Sequence, residues 1–271
     1  MSAIGHVIDR GTQAAIAAAR PSTYPALARE LRSAATAAAL YPLGAVDAAL
    51  GAVVEKVAGI VDPAEDAPPV VLVHGYGSIK SHWLTLQVAL RRIGVSDVTA
   101  INYNAWRDDI RTIGAQLVDH VDEVLERTGA SKVNLVGHSM GGLVMRHAVD
   151  VLGLDDRVDQ AVTIASPHGG SAFAYLCGLV PGQRQLTRAA AQMRPGSGFL
   201  RELDRAAREN VESTVRWTAL YSTGDFIVAG RAAKLRTPDA TNIRVDTDGH
   251  VAVLMSPTVV QTVCTVLADA A

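Results

Sequence analysis

The sequence has little cysteine and little net charge. Its 271 residues include only two cysteines, Cys177 and Cys264, which are too few for a disulfide framework and lack the spacing of metal ligands. We expect two free thiols, with a single bridge in an oxidising compartment as the alternative. The formal net charge is −2, and no basic cluster is interleaved with aromatic residues. Nucleic acid is therefore not an expected partner.

The amino-terminal residues do not show the pattern of a cleavable secretory signal. Asp9 and Arg10 fall where such a signal should already be apolar. We therefore expect a cytoplasmic or membrane-associated protein. Residues 34–54 have Asp47 as their only charge and are long enough to cross a bilayer, but they are mostly alanine and contain Pro42. Three interpretations stay open: a membrane span, a helical hairpin packed on the main domain, or an amphipathic segment on a membrane surface.

Composition divides the chain into three regions. Residues 1–60 are rich in alanine and predict a helical extension, and residues 61–69, VDPAEDAPP, are typical of a linker because proline cannot sustain a helix. From residue 70 to residue 271, short apolar runs alternate with segments of helical periodicity. This alternation predicts one α/β domain, a mostly parallel sheet with helices on both faces.

Six short runs within this domain are predicted as strands. They are VVLV (70–73), VTAIN (98–102), KVNLVG (132–137), QAVTIA (160–165), VRWTALYS (215–222) and NIRV (242–245). Helices are predicted over 81–93, 107–127, 139–152 and 257–268. About forty residues, 171–211, lack a strand, and an insertion of that size usually forms a cap or lid over a site. The alternative is a helical insertion that has no function.

A serine between closely spaced glycines follows the third predicted strand. Residues 137–141, GHSMG, fit the G-x-S-x-G turn that joins a strand to a helix in a strained corner. The turn is so tight that a Cβ atom at either glycine would collide with the neighbouring strand or helix. The corner holds the Ser139 hydroxyl above the carboxyl edge of the sheet, where it is a candidate nucleophile.

A nucleophilic serine needs a base and an acid that orients the base. In chain order, the acid should follow a later strand and the histidine the strand after that. Asp225 lies just after the strand that ends at residue 222, and His250 just after the strand that ends at residue 245. Asp246 and Asp248 lie on the histidine's own loop, too near to reach the far nitrogen of its ring. We therefore predict a triad of Ser139, His250 and Asp225.

The negative oxygen formed by serine attack needs fixed hydrogen-bond donors. One predicted donor is the backbone N–H of Met140, directly after the serine. The other is the N–H of Tyr76 in HGYG (74–77), which follows the first strand and brings glycine backbone close to the substrate. His168 and Phe173 come after the fourth strand and are predicted to line the substrate pocket.

Five motifs, in this order along residues 69–270, resemble those of bacterial lipases and carboxylesterases of the α/β-hydrolase superfamily. They are VVLVHGYG, VNLVGHSMGG, TIASPHGGS, LYSTGDFIV and DGHVAVL. The SPHGGS segment and QMRPGSGFLREL (192–203) are similar to the lipase side of the superfamily. Its epoxide hydrolases and dehalogenases place an acid at the nucleophile position, where this chain has serine.

The resemblance implies the same triad and donors, and hydrolysis of carboxylic esters of lipids or small molecules through an acyl-enzyme, without a cofactor. Two alternatives stay open: an acyltransferase that uses the same triad, and a binding protein that keeps the fold without catalysis. Some related lipases bind calcium near the catalytic histidine. Asp246 and Asp248 are possible ligands, but a tight turn explains them equally well, and we predict no metal.

Overall fold

A computed structural model describes residues 54, 58, 67–78, 80–176, 187–245 and 249–269. Its centre is a sheet of six parallel strands in the order β2-β1-β3-β4-β5-β6. The strands are β1 Val70–Val73, β2 Val98–Ile101, β3 Val133–His138, β4 Val158–Ile164, β5 Arg216–Ser222 and β6 Thr241–Val245. All six predicted strands are present, and the predicted α/β fold with a parallel sheet is confirmed.

Apolar side chains cover both faces of the sheet. Val71 and Val73 contribute to a core on one face, while Val70 and Leu72 contribute to a core on the other. The side chains of a strand alternate between faces, so a strand buried on both sides must be apolar at every position. This requirement explains why β1 consists of the uninterrupted run VVLV.

The described part of the chain forms seven α-helices. They are α1 Leu84–Arg92, α2 Ile110–Thr128, α3 Met140–Arg146, α4 Phe173–Leu176, α5 Thr187–Gln192, α6 Gly198–Glu209 and α7 Pro257–Ala268. Shorter 3-10 turns cover Lys80–Trp83, Asp155–Arg157, Gly230–Ala232 and Ala252–Met255, and a π-helical turn covers His147–Val151. Helices α2, α3 and α6 bury their apolar residues on one face of the sheet, whereas α1 and α7 bury theirs on the other.

Three predicted helices have different limits in the structure. The helix predicted over 81–93 is α-helical only from Leu84 to Arg92 and follows a 3-10 turn at Lys80–Trp83. The helix predicted from residue 107 begins at Ile110, because the Asp109 side chain accepts a hydrogen bond from the Thr112 N–H and caps the helix there. The helix predicted over 139–152 is α-helical only from Met140 to Arg146 and continues as the π-helical turn.

The segment 171–211, predicted as a lid-like insertion, has two parts with different environments. Phe199, Leu200 and Leu203 of α6 are buried in the core shared with α2 and α3. Helix α6 therefore belongs to the layer that covers the sheet. By contrast, Phe173 and Leu176 of α4 are 45% and 49% exposed. Residues 177–186 lie outside the described part, and a lid formed by this earlier half stays a prediction.

Several other predictions fall outside the described residues. They concern the helical extension 1–60 apart from Val54 and Ala58, the apolar segment 34–54 apart from Val54, linker residues 61–66, Cys177, and the loop with Asp246 and Asp248. Cys264 is a half-buried free cysteine. The helices of the described part include none that is long and apolar enough to cross a membrane. Its His, Cys, Asp and Glu side chains form no cluster able to hold a metal ion.

A charge cluster with two buried side chains, Arg146 and Asp150, lies where α3 and the π-helical turn meet α6. The Arg146 guanidinium is 3.5 Å from the Asp150 carboxylate and 3.2 Å from that of Asp204. The three residues line a cavity of about 520 Å³, together with Trp217 near the amino end of β5. The cavity is therefore at the edge of the sheet where β5 begins. The predicted catalytic residues follow the carboxyl ends of the strands and lie at the opposite edge.

The Asp150 carboxyl predicts a measurable pH dependence of stability. Burial raises its pKa from 3.8 to about 6, although Arg146 partly opposes the shift. Between these values the folded protein holds a proton that the unfolded chain has released, so Asp150 makes stability fall as pH rises through this window. Relative to Asp150→Asn, wild type should lose about 2 kcal/mol of unfolding free energy between about pH 4 and pH 7, at 1.36 kcal/mol per pKa unit.

Urea unfolding at a series of pH values measures this difference. The matched control is Asp204→Asn, because this carboxylate contacts the same arginine but is 39% exposed. The difference in unfolding free energy between wild type and Asp204→Asn should vary much less over the same pH range. If the difference in unfolding free energy between wild type and Asp150→Asn does not change with pH, the raised pKa of Asp150 is contradicted.

Candidate active site

Ser139 occupies the sharp turn between β3 and α3. Its backbone has φ 53° and ψ −123°, in the left-handed region that residues other than glycine rarely adopt. Such a conformation costs on the order of 1–3 kcal/mol and persists only where the surroundings enforce it. The Ser139 N–H donates to the Ile164 carbonyl at 2.9 Å, which ties the turn to the end of β4. The hydroxyl is therefore held in a fixed position at the carboxyl edge of the sheet.

Three glycines allow the backbone to close around this serine. A Cβ atom at Gly141 would overlap the Val73 carbonyl oxygen and lie 2.8 Å from its carbon. At Gly137 it would lie 2.8 Å from the carbonyl carbon of Gly141, and at Gly75 it would lie 2.9 Å from the Ser139 Cβ. These contacts agree with the steric reason for glycine in the predicted turn.

Ser139, His250 and Asp225 form a continuous chain of hydrogen bonds. The His250 Nε2 is 2.9 Å from the Ser139 Oγ, and the His250 Nδ1 is 2.8 Å from the Asp225 Oδ2. All three residues are buried, with exposures of 8–9%. The structure therefore brings together the three residues that the sequence predicted as a triad, from loops after β3, β5 and β6.

The Asp225 carboxylate is fixed by the backbone of its own loop. Its Oδ1 accepts hydrogen bonds from the N–H groups of Ile227 at 2.8 Å and Val228 at 2.9 Å, which leaves Oδ2 for His250. Because a carboxylate only accepts, the His250 Nδ1 carries the proton and its Nε2 presents a lone pair to Ser139. In this tautomer the imidazole can take the hydroxyl proton as the serine oxygen attacks an electrophilic carbon.

His138, the variable residue of the turn, supports the histidine loop. Its Nε2 donates to the His250 carbonyl oxygen at 2.9 Å, and the two rings are 5.0 Å apart. Burial lowers the pKa of His138 well below its usual value, and the neighbouring His250 adds to this shift. His138 therefore stays neutral and adds no positive charge beside the His250 ring. The motif located this residue but did not indicate its contact, which spans 112 positions of the chain.

The two predicted oxyanion donors belong to residues next to Ser139 or next to a residue that packs against it. Met140 is the first residue of α3, and the first N–H groups of a helix have no acceptor within it. Tyr76 directly follows Gly75, which contacts Ser139. The Trp106 ring packs against the Tyr76 ring at 5.0 Å and against Gly77. Trp106 was not singled out from the sequence, because its contact with this loop depends on β1 and β2 being neighbours.

Comparisons with known proteins agree with this architecture. A family model of the alpha/beta hydrolase fold matches residues 68–196. The structure of the mature Bacillus licheniformis lipase BlEst2 superposes with a TM-score of 0.65, covering 77% of this chain and 95% of that lipase at 22% identity. The chain has the α/β-hydrolase fold. The predicted fold is thereby confirmed.

Curated triacylglycerol lipases are similar to part of this α/β-hydrolase. The lipase of Pseudarthrobacter phenanthrenivorans is 38% identical over 114 residues, which are 39% of this chain and 35% of that lipase. The lipase of Pseudomonas fragi is 32% identical over 163 residues, which are 58% of this chain and 54% of that lipase. The chain thus matches about a third to a half of the length of these relatives.

His168, predicted to line the pocket of this α/β-hydrolase, lies in its interior. Its ring hydrogen-bonds with the Thr163 hydroxyl of β4 at 3.1 Å, and the residue is 5% exposed. Burial lowers the pKa of His168 well below its usual value, and the nearby Arg146 lowers it further. These contacts are those of a packed histidine and give no support to a role in substrate binding.

Phe173, the other predicted pocket residue, is joined to the loop of Asp225. Its N–H donates to the Ser171 hydroxyl at 3.2 Å, and that hydroxyl donates to the Ile227 carbonyl at 2.5 Å. The Phe173 side chain is 45% exposed. This link brings the start of α4 next to the loop of Asp225, as a substrate contact would require.

Proposed function

We propose that this α/β-hydrolase cleaves carboxylic esters, of lipids or of smaller molecules, through an acyl-enzyme on Ser139. The observation that carries the proposal is the chain of hydrogen bonds from the Ser139 Oγ through the His250 ring to the Asp225 carboxylate. The similarity to bacterial triacylglycerol lipases supports the same reaction.

The geometry supports the following sequence of steps. The Ser139 Oγ attacks the ester carbonyl carbon while the His250 Nε2 accepts its proton, and Asp225 stabilises the imidazolium. The backbone N–H groups of Met140 and Tyr76 donate to the oxygen that becomes negative. His250 then returns the proton to the departing alcohol, which leaves the acyl group on Ser139. Water, activated by the same histidine, releases the acid.

Exposed apolar side chains around the carboxyl edge of the sheet favour a lipid substrate. Trp106, Phe173 and Phe226 lie on the segments that follow β2, β4 and β5, and they are 47%, 45% and 39% exposed. Large apolar groups on the rim of a site suit an acyl chain better than a polar substrate. Membrane-surface association through residues 34–54 is a further part of the proposal, supported by the sequence alone.

Ester hydrolysis and covalent labelling together test the proposal. We expect turnover of p-nitrophenyl esters, with the chain-length preference measured from acetate to palmitate. A fluorophosphonate should form one adduct, located on Ser139 by peptide mass spectrometry and absent from Ser139→Ala. An adduct elsewhere, or equal labelling of the variant, would refute the nucleophile. Product analysis with added glycerol separates a hydrolase from an acyltransferase by the ratio of products, because attack of water on the acyl-enzyme yields the free acid and attack of the alcohol yields an acylglycerol.

A further inference from the structure

The turn after β1 is held by two hydrogen bonds to one carbonyl oxygen. The Gly75 carbonyl accepts the N–H of Ser78 at 3.2 Å and the ring Nδ1 of His74 at 3.0 Å. A carbonyl oxygen only accepts, so the His74 Nδ1 must carry the ring proton. One imidazole and one backbone amide therefore fix the direction of this carbonyl.

The fixed carbonyl belongs to the same peptide unit as a predicted oxyanion donor. A trans peptide is planar, and its C=O and N–H groups point in opposite directions. The described residues contain no cis peptide bond. The direction of the Gly75 carbonyl therefore determines the direction of the Tyr76 N–H. Gly75 itself packs against Ser139, since a Cβ on it would lie 2.9 Å from the Ser139 Cβ.

His74 is itself held in place by Tyr103, from the segment after β2. The two rings stack with their centres 3.9 Å apart and their planes 17° apart. The Tyr103 hydroxyl also donates to the His74 carbonyl oxygen. Both residues are buried. Tyr103 thus contacts the face of the imidazole and fixes the backbone of His74. Both contacts oppose rotation of the imidazole away from the Gly75 carbonyl.

Burial also keeps the imidazole in one protonation state. It lowers the pKa of His74 from 6.5 to about 4, despite the opposing effect of the hydrogen bond to Gly75. The ring is therefore neutral at neutral pH. Its Nε2 is buried without a hydrogen-bond partner among the described residues. Among the described residues, the ring is therefore held through its Nδ1, by the hydrogen bond to the Gly75 carbonyl.

We propose that His74 is a positioning residue for the oxyanion hole. By donating from Nδ1 to the Gly75 carbonyl, it sets the plane of the peptide that joins Gly75 to Tyr76 and directs the Tyr76 N–H at the oxygen that becomes negative when Ser139 attacks. The inference rests on the proposed ester hydrolysis. Loss of this positioning should raise the free energy of the transition state more than that of the bound substrate, because an oxyanion donor acts most strongly where charge develops.

Two amide substitutions of different length separate this role from packing. The side-chain amide of His74→Asn reaches the position of Nδ1, whereas that of His74→Gln reaches the position of Nε2. We expect the Asn variant to keep kcat within a few-fold of wild type. The Gln variant should lose about 10²-fold in kcat with little change in KM, since loss of one oxyanion donor costs about 10²–10³-fold. A packing role predicts the reverse order, because Gln fills more of the space.

The inference is overturned if Asn and Gln lose kcat equally, or if the loss appears in KM. Long-range ¹H–¹⁵N spectra of the histidines provide a second measurement that needs no activity. The His74 resonance, assigned by its absence from His74→Gln, should show a proton on Nδ1 and no titration near neutral pH; a proton on Nε2 would overturn the inference. Absence of both ester turnover and fluorophosphonate labelling in wild type would instead refute the proposed function, while the spectra still test the hydrogen bond to Gly75.

Discussion

Replacing Asp225 by Asn is expected to lower kcat for ester hydrolysis about 10⁴-fold and leave the fold intact. The two backbone N–H groups of Ile227 and Val228 decide how the new amide sits. They require an acceptor at the Oδ1 position, so the amide oxygen stays there and the NH₂ group faces His250. The His250 Nδ1 must then accept a hydrogen bond, which moves the ring proton to Nε2. A protonated Nε2 cannot take the proton of Ser139.

Single-turnover and steady-state hydrolysis of one p-nitrophenyl ester measure this effect. The control is Asp239→Asn, because Asp239 is exposed on the connection between β5 and β6 and removal of its charge should leave kcat unchanged. Thermal unfolding should show both variants folded. If Asp225→Asn keeps kcat within tenfold of wild type, the histidine does not depend on this carboxylate, and the assigned triad is wrong.

The fold could be predicted because each strand has a local signature. A strand buried on both faces is an apolar run between turns, and both β1 and α7 have the limits predicted from the sequence. The three candidate catalytic residues could be placed because the carboxyl ends of parallel strands meet at one edge of the sheet. Chain order then selected Asp225 and His250, without any distance being known.

Contacts between distant segments could not be predicted in this way. Tyr103 and His74 are 29 positions apart, and nothing local to either residue indicates that their rings stack. The role of α6 was also inaccessible, because its periodicity shows that one face is apolar but not what that face contacts. His168 follows a strand at the catalytic edge as a pocket residue would, yet its ring turns into the core to bond with Thr163.

Substitution of Gly141 by Ala should have the largest effect on folding. The added methyl group would overlap the Val73 carbonyl oxygen and lie 2.9 Å from the carbonyl oxygen of His74. Both are backbone atoms at the end of the central strand β1, which cannot shift without disturbing its pairing with β2 and β3. Overpacking of a core, with the side-chain and backbone shifts that it forces, costs roughly 1–3 kcal/mol and occasionally more. Because this obstacle is backbone, we expect a loss of about 3 kcal/mol or more, a large part of the 5–15 kcal/mol typical of a domain.

Gly198→Ala is the matched control for this prediction, since it makes the same chemical change in open space. Gly198 begins α6, and the atom nearest to its new methyl group would be an Arg201 guanidinium nitrogen at 3.8 Å. Replacement of glycine by alanine at such a site restricts the unfolded chain and should raise stability by up to about 1 kcal/mol. Urea unfolding compares the two variants, and ester turnover should persist only in the control. A Gly141→Ala protein with the stability and kcat of wild type would mean that β1 and α3 do not approach as closely as the strained serine turn requires.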